Sequence, residues 1–197
     1  MALPKALFTV ADLSALPASE RGERYELIDG VLEVNAAPGS DHQSISNNLE
    51  FLLTAHVRAN RLGRVRDNSG VQIGERVFLI PDVVFISQER LGIIGAENIE
   101  AAPDLVVEIL SPSTRSYDLL TKRAVYARIG VREYWIVDAE ARAVTVLALE
   151  GGRYAGVAPV ETGVVTSRVL PGLRLTVAEV FEDVGAVEQP GAGGEEG

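Results

Sequence analysis

The stretch from Leu105 to Val137 constrains the fold of this chain more than any other. Two apolar runs, "PDLVVEIL" and "EYWIVD", flank a segment with helical spacing, "SYDLLTKRAVYARIG". Strands that are apolar on both faces are typical of the centre of a sheet that is covered on both sides. Because strand–helix–strand units cross over with a right hand, we expect the two strands to be parallel.

The rest of the chain adds strands and hairpins around this unit. "RYELIDGVLEV" predicts a hairpin with its turn at Asp29 and Gly30, and Gly151 and Gly152 predict a second hairpin near the C-terminus. Further strands are predicted in "VQIG" and "ERVFLIPDVVFIS". The order of elements therefore predicts a mixed α/β fold, with short helices in "ADLSALP" and "TVAEVFEDV".

Two longer helices are predicted from apolar spacing and end signals. The first lies in "SDHQSISNNLEFLLTAHVRANRLG", with Ser40 or Asp41 as its N-cap and Gly63 as its stop. The second follows "SPSTRS" and stops at Gly130. Its inward-facing residues are predicted to be Leu119, Leu120, Tyr126 and Ile129.

Length and composition favour one domain. The 197 residues are enough for one core, and we assign residues 1–184 to it and residues 185–197 to a disordered acidic, Gly-rich tail. No apolar run approaches the roughly 20 residues of a membrane span, and the N-terminus does not resemble a signal peptide. We therefore expect a cytoplasmic protein with no membrane partner. The absence of cysteine excludes disulfides and thiolate nucleophiles.

The net charge of −10 argues against broad electrostatic attraction to nucleic acid. One stretch, "HVRANRLGRVR", is nevertheless basic. It is either a solvated helix end and turn or a surface that contacts the DNA backbone. Its arginines are Arg58, Arg61, Arg64 and Arg66.

Two acids stand inside the apolar strands. Strand alternation places Glu108 on the same face as Val106 and Leu110. In "LIPDVVFI" the same alternation places Asp82 on one face with Ile80 and Val84. Two neighbouring buried carboxylates repel each other unless a cation lies between them. Mg²⁺ prefers oxygen ligands and needs only one or two protein carboxylates, so the pattern predicts a metal site.

Lys122 and His42 are further candidates. Lys122 lies in the helix after the Glu108 strand, where its ammonium group can lean over the acids and orient a water or neutralise phosphate charge. Other interpretations remain open at this point. Asp82 can satisfy backbone donors, and Glu108 can pair with Arg115 or Lys122. Lys122 can form a surface pair with Asp118, and His42 is either an exposed capping-region residue or part of the site.

These residues carry a resemblance to a known family. "YELIDG", "PDVVFIS" and "PDLVVEILSPSTRSYDLLTKRAVYARIGVREYWIVD" occur in an order that resembles the Uma2 family of restriction endonucleases. That family is similar to the PD-(D/E)xK nuclease superfamily. The resemblance covers about residues 25–154 and implies a restriction-endonuclease-like mixed β-sheet flanked by helices.

The resemblance also implies an activity. Asp82 and Glu108 would hold Mg²⁺ or Mn²⁺ with the backbone carbonyl of Ile109, and Lys122 would position the attacking water for DNA hydrolysis. Glu26, in "YELIDG", is an additional ligand or base, or else an exposed strand acid. The chain departs from the superfamily pattern at Leu110, where the motif has its lysine.

Two function classes follow from this reading. The first is a Mg²⁺-dependent endonuclease acting on DNA, and cleavage of both strands with one site per chain implies a homodimer. The second is a non-catalytic binding or assembly protein that keeps the nuclease fold and uses its acids in ion pairs. The acidic net charge and Leu110 favour the second class.

Overall fold

A computed structural model describes residues 7–16, 22–112, 114–156 and 158–185. The tail predicted to be disordered lies outside these residues, apart from Gly185. No helix in the described part of the chain combines the length and the apolar character needed to cross a lipid bilayer.

The strands predicted from the sequence occur in the expected order, and three further strands, at residues 63–67, 164–165 and 175–176, were not predicted. They are β1 (Arg24–Ile28), β2 (Val31–Asn35), β3 (Gly63–Asp67), β4 (Val71–Ile73), β5 (Val77–Leu79), β6 (Val83–Ser87), β7 (Leu105–Leu110), β8 (Glu133–Asp138), β9 (Ala143–Glu150), β10 (Arg153–Gly156), β11 (Val164–Val165) and β12 (Leu175–Thr176).

The helices are fewer than the strands. They are α1 (Val10–Leu13), α2 (Ser40–Asn60), α3 (Arg123–Ile129) and α4 (Val177–Val180), with a 3₁₀ helix at Gln88–Ile93 and a π-helical turn at Tyr117–Lys122. The π-helical turn leads directly into α3.

The central sheet has six strands in the order β10-β9-β8-β7-β6-β3. Strands β7 and β8 are parallel, as the strand–helix–strand pattern predicts, and the other neighbours are antiparallel. A second sheet has the order β2-β1-β5-β4 and contains the predicted N-terminal hairpin. The mixed α/β architecture and both hairpins are therefore confirmed.

The two faces of the central sheet are covered by different layers. On one face, Val107 and Ile109 pack with α2 and with the segment that ends in α4. On the other face, Val106 and Leu110 pack with α3 and with the second sheet. Glu108 is on this second face, as strand alternation predicts.

Three predicted boundaries are wrong. "ERVFLIPDVVFIS" is not one strand, because Pro81 has no N–H to donate and the chain passes there from β5 in the second sheet to β6 in the central sheet. Helix α2 has Gly39 as its N-cap instead of Ser40 or Asp41. It ends at Asn60 with Arg61 as a left-handed C-cap, and Gly63 begins β3 instead of stopping the helix.

One predicted inward residue is also wrong. Leu120 is 71% exposed, whereas Tyr126 is buried and Leu119 and Ile129 pack against the core. The reason is the π-helical turn, whose wider spacing turns Asp118 and Lys122 inward in place of Leu120. Gly130 ends the helix in the left-handed region, as predicted.

Gly63 is required where α2 passes into β3. Its φ is +149°, and a Cβ added there would lie 2.0 Å from the carbonyl oxygen of Ile86. We expect Gly63→Ala to lower the free energy of unfolding by about 2–3 kcal/mol, because the backbone must shift either at residue 63 or at Ile86 to make room for the added methyl group. Urea denaturation followed by circular dichroism measures this. Gly92→Ala is the control, since a Cβ there meets nothing within 4 Å, and an equal loss in both variants would contradict the expectation.

Candidate active site

A small pocket of about 90 Å³ lies where β1, β7, the π-helical turn and the start of α2 meet. Its walls carry more acids than permanent cations. The acids are Glu26, Asp82, Glu108 and Asp118, and the cations are Arg24 and Lys122, with His42 beside them. All four acids are buried, so each of them needs a partner.

Lys122 is the central cation of this pocket. Its Nζ lies 3.0 Å from Glu26 Oε1, 3.0 Å from Glu108 Oε1 and 3.6 Å from Asp118 Oδ1. The lysine itself is buried. One ammonium group therefore joins the second sheet, the central sheet and the π-helical turn.

Neutral donors hold two of these carboxylates in place. The hydroxyl of Tyr126 donates to Glu108 Oε1 at 2.6 Å. Asn35 Nδ2 donates to Glu26 Oε2 at 2.7 Å, and the Ile80 N–H donates to Glu26 Oε1 at 2.7 Å. The side chains of Glu26 and Glu108 are therefore oriented by groups that do not change charge in the neutral pH range.

Asp82 occupies the point where two strands separate. The β6–β7 ladder runs from Phe85 to Val83, and beyond it Asp82 Oδ2 accepts the N–H of Ile109 at 2.8 Å. Arg24 lies 3.1 Å from Asp82 Oδ1, and His42 Nε2 lies 3.2 Å from Asp82 Oδ2. The carboxylate thus replaces a backbone acceptor and faces two basic side chains.

The two central acids have opposite pKa shifts. Burial raises the pKa of Asp82, but His42 and the N–H of Ile109 outweigh burial and hold it below its ordinary value. Burial raises the pKa of Glu108 well above its ordinary value; Lys122 opposes this rise, and the charges of the neighbouring acids add to it. Asp82 is therefore the more firmly ionised of the two.

The pKa of Lys122 is also raised well above its ordinary value. Burial alone would lower it, but Glu108, Glu26 and Asp118 outweigh burial. Burial raises the pKa of Asp118 in turn, against the effect of Lys122. Burial is the largest cause of the raised pKa of Glu108 and Asp118, and the negative charge of neighbouring carboxylates raises the pKa of all three groups.

The structure brings together the acids and the lysine singled out from the sequence. Of the alternatives left open, Glu108 contacts Lys122, whereas Arg115 pairs with Asp138 instead. Glu26 is buried, not an exposed strand acid. His42 reaches Asp82, as one of its two interpretations required.

Sequence reasoning missed two residues of this pocket and a third that donates to Glu108 without lining it. Asp118 was interpreted as a surface partner of Lys122 but is buried with it, and its position four residues before the lysine was the available signal. Arg24 contacts Asp82 from 58 residues away in the chain, so no local pattern indicates it. Tyr126 was predicted only as a core residue.

The four arginines of the basic stretch lie outside this pocket. Arg58 belongs to α2 and Arg61 to its C-cap, whereas Arg64 and Arg66 belong to the edge strand β3. Arg64 is opposite Ile86 and Arg66 is opposite Val84, so both are on the sheet face that carries Glu108. Their side chains make no ion pair or hydrogen bond within the described part of the chain.

Comparison with known proteins now identifies the family. The model of the Uma2 family, described as "Putative restriction endonuclease", matches residues 10–178. The chain belongs to the Uma2 family. Membership supports a nuclease function in general terms.

The Uma2 chain also resembles a solved structure. The crystal structure of a protein from Anabaena variabilis ATCC 29413, described as a putative nuclease belonging to DUF820, superposes with a TM-score of 0.71 at 20% identity. The likeness covers 88% of this chain and 97% of that one. It establishes the restriction-endonuclease-like fold. No curated protein matches the sequence.

The donor set of the Uma2 pocket fits a hard divalent ion. Its carboxylates supply oxygen ligands, and there are more carboxylates than permanent cations in its lining. Within the described residues, no three His, Cys, Asp or Glu side chains are arranged as a ready metal site. The pocket therefore fits an ion such as Mg²⁺, which takes one or two carboxylates and keeps several waters, better than one that needs a closed protein cage.

Replacing Lys122 tests its role as the cation of the pocket. We expect Lys122→Met to lower the free energy of unfolding at pH 8 by about 3–5 kcal/mol, because buried carboxylates lose their partner. A raised pKa makes Glu108 stabilising below its ordinary value of 4.5, and this contribution is lost as the pH rises through the folded-state value. Without Lys122 the folded-state pKa of Glu108 rises further. Glu108 therefore becomes protonated at a higher pH in the variant, and protonation removes the cost of its unpaired buried charge.

The loss in Lys122→Met should therefore be smaller at pH 5.5 than at pH 8. Urea unfolding of the variant and the wild type at both pH values measures this difference. Arg153→Met is the matched control, since Arg153 is an exposed cation on β10. A loss that is the same at both pH values would show that Lys122 does not compensate the acids.

Proposed function

We propose that this Uma2 protein is an endonuclease that hydrolyses phosphodiester bonds of DNA with Mg²⁺ or Mn²⁺. The observation that carries the proposal is the meeting of Asp82, which directly precedes β6, and Glu108, on the adjacent strand β7, in one pocket with Lys122. A buried carboxylate pair can hold a divalent metal that assists phosphodiester hydrolysis, and a neighbouring lysine can stabilise the developing negative charge. Family membership supports the same reaction class.

The metal would be held by Asp82, Glu108 and the backbone carbonyl of Ile109. When bound, it supplies a Lewis acid for the phosphate and lowers the pKa of a water. Asp82 suits this role because its lowered pKa keeps it ionised, and its hydrogen bond from Ile109 fixes its orientation.

Lys122 acts in this proposal as a cation and hydrogen-bond donor. Its raised pKa keeps it protonated, so it is unsuited to remove a proton from water. Its ammonium group can instead orient the water or stabilise the charge that develops on the phosphate. Glu26 accepts from Lys122 and is itself held by Asn35 and Ile80, so we assign it to positioning the lysine.

Plasmid cleavage tests this function. We expect the wild-type protein to nick or linearise supercoiled plasmid in Mg²⁺ or Mn²⁺ but not in EDTA. Asp82→Asn and Glu108→Gln should each lower the rate at least about a hundredfold, since each removes a charged ligand worth several kcal/mol in the transition state.

The matched control for these substitutions is Glu89→Gln, which changes an exposed acid of the 3₁₀ helix. It should cleave like the wild type. Cleavage that persists in Glu108→Gln would come from a contaminant and would count against the proposal, as would an inactive wild-type protein in both metals.

The basic stretch is proposed to contact the DNA backbone. Arg66 is the nearer of the β3 pair to the pocket, because β3 ends beside Asp82, whose carbonyl accepts the N–H of Asn68. Arg58 and Arg61 lie at the opposite end of β3.

The same proposal includes a homodimer, which would cut both strands of a DNA duplex, and a cytoplasmic location.

Salt dependence of duplex binding tests these contacts. Each lost phosphate contact should reduce the slope of log affinity against log salt by about 0.9. We expect the double variant of Arg64→Ala and Arg66→Ala to reduce this slope by about 1.8. The double variant of Arg58→Ala and Arg61→Ala shows whether the DNA-binding surface extends to the end of α2. Arg153→Ala serves as the control for loss of charge elsewhere. An unchanged slope in the β3 variant would remove this strand from the interface.

A non-catalytic protein is the second candidate function. It is favoured by one observation: Asp82 and Glu108 already have protein partners in Arg24, His42, Lys122 and Tyr126. Titration calorimetry with Mn²⁺ separates the two candidates. Binding that Glu108→Gln weakens favours the nuclease, and no binding favours ion pairs with a structural role.

A further inference from the structure

A second pocket adjoins the acidic one. Its volume is about 220 Å³, and it shares Arg24 and His42 with the pocket that contains Asp82. Gln43, Ser46, Asn47 and Asn68 complete its polar lining. Arg24 stands between the two pockets, because its guanidinium donates both to Asp82 and to Asn68.

The two pockets differ sharply in charge. The acidic pocket contains four carboxylates, whereas the described lining of the second pocket contains none. In a chain with a net charge of −10, this second lining offers amides, a hydroxyl, an imidazole and a guanidinium. Such groups recognise neutral, hydrogen-bonding ligands or anions.

Several of these groups have no partner within the described residues. The Nδ1 of His42 is buried and makes no hydrogen bond there. Gln43 and Asn47 are exposed residues of the lining: Asn47 makes no hydrogen bond to the described residues, and Gln43 uses only its Nε2, which donates to the carbonyl of Pro38. An unpaired, buried ring nitrogen is unfavourable, so a ligand that pairs with it would gain affinity.

Helix α2 arranges these side chains on one face. His42 and Ser46 are four residues apart, as are Gln43 and Asn47, so all four point from the first two turns of the helix in neighbouring directions. Since α2 is a 21-residue helix packed on the sheet through Ile45 and Leu49, this polar face has a rigid support.

We propose that this pocket binds one nucleobase of the nucleotide next to the scissile phosphodiester. The inference rests on the proposed nuclease function. Asn and Gln amides pair with base edges, and Arg24 lies where a neighbouring phosphate would pass between the pockets. The volume is below the roughly 300–1,000 Å³ of pockets for drug-sized ligands, which suits a single base.

A base can enter such a pocket only when it is unpaired. Its Watson–Crick edge is otherwise occupied by the complementary strand, and its faces are stacked, so only an unpaired base can be enclosed in a pocket. The substrate is therefore unpaired at this nucleotide, either because it is single-stranded or because the nucleotide leaves the duplex.

Fluorescence anisotropy with two labelled single strands tests the proposal. One strand carries bases of mixed sequence, and the other has the same length and charge but is abasic. Binding is measured in Ca²⁺ and in EDTA, so that the result does not depend on a bound metal. We expect the wild type to prefer the strand with bases, and Asn47→Ala and Gln43→Ala each to weaken that binding about tenfold, the size of one lost base contact.

The abasic strand should bind equally to all of these proteins. Asn60→Ala is the matched control, because Asn60 is an exposed amide at the other end of α2. Equal binding of both strands, or equal weakening of both, overturns the base pocket. Failure of the nuclease function appears separately, as plasmid cleavage that does not depend on Glu108.

Discussion

The contact of Lys122 with three buried carboxylates is the interaction on which the architecture depends. Glu26 belongs to β1 in the second sheet, Glu108 to β7 in the central sheet, and Asp118 to the π-helical turn. None of these acids could be buried alone at acceptable cost. The three elements must therefore meet at one ammonium group, and this requirement restricts how the second sheet can pack on the first.

The position of Asp82 follows from sheet topology in the same way. The β6–β7 ladder stops at Val83, and the next N–H on the β7 side, that of Ile109, needs an acceptor. The Asp82 carboxylate supplies it. Where β6 and β7 separate, the Asp82 carboxylate therefore satisfies a backbone donor and at the same time lies at the edge of the pocket.

The central part of the fold could be predicted because its signals are local. Apolar runs and the intervening helix indicated the parallel pair β7 and β8, and period-two alternation placed Glu108 on the correct face. The error at Leu120 has a physical cause, since a spacing of 3.6 residues does not describe a π-helical turn. Arg24 and Tyr126 escaped prediction because their partners, Asp82 and Glu108, are distant in sequence.

The site departs from the superfamily motif at Leu110, and the structure gives a physical account of this departure. Leu110 is buried among apolar residues, where the ammonium group of a lysine would be desolvated. A lysine carried by a strand is oriented by the ladder, whereas one carried by a helix reaches the acids through a long flexible side chain. Lys122 is in the second situation, and its three carboxylate contacts supply the orientation that the strand backbone would otherwise provide. The three carboxylates around Lys122 therefore hold a cation that is carried by the helical segment in contact with both sheets.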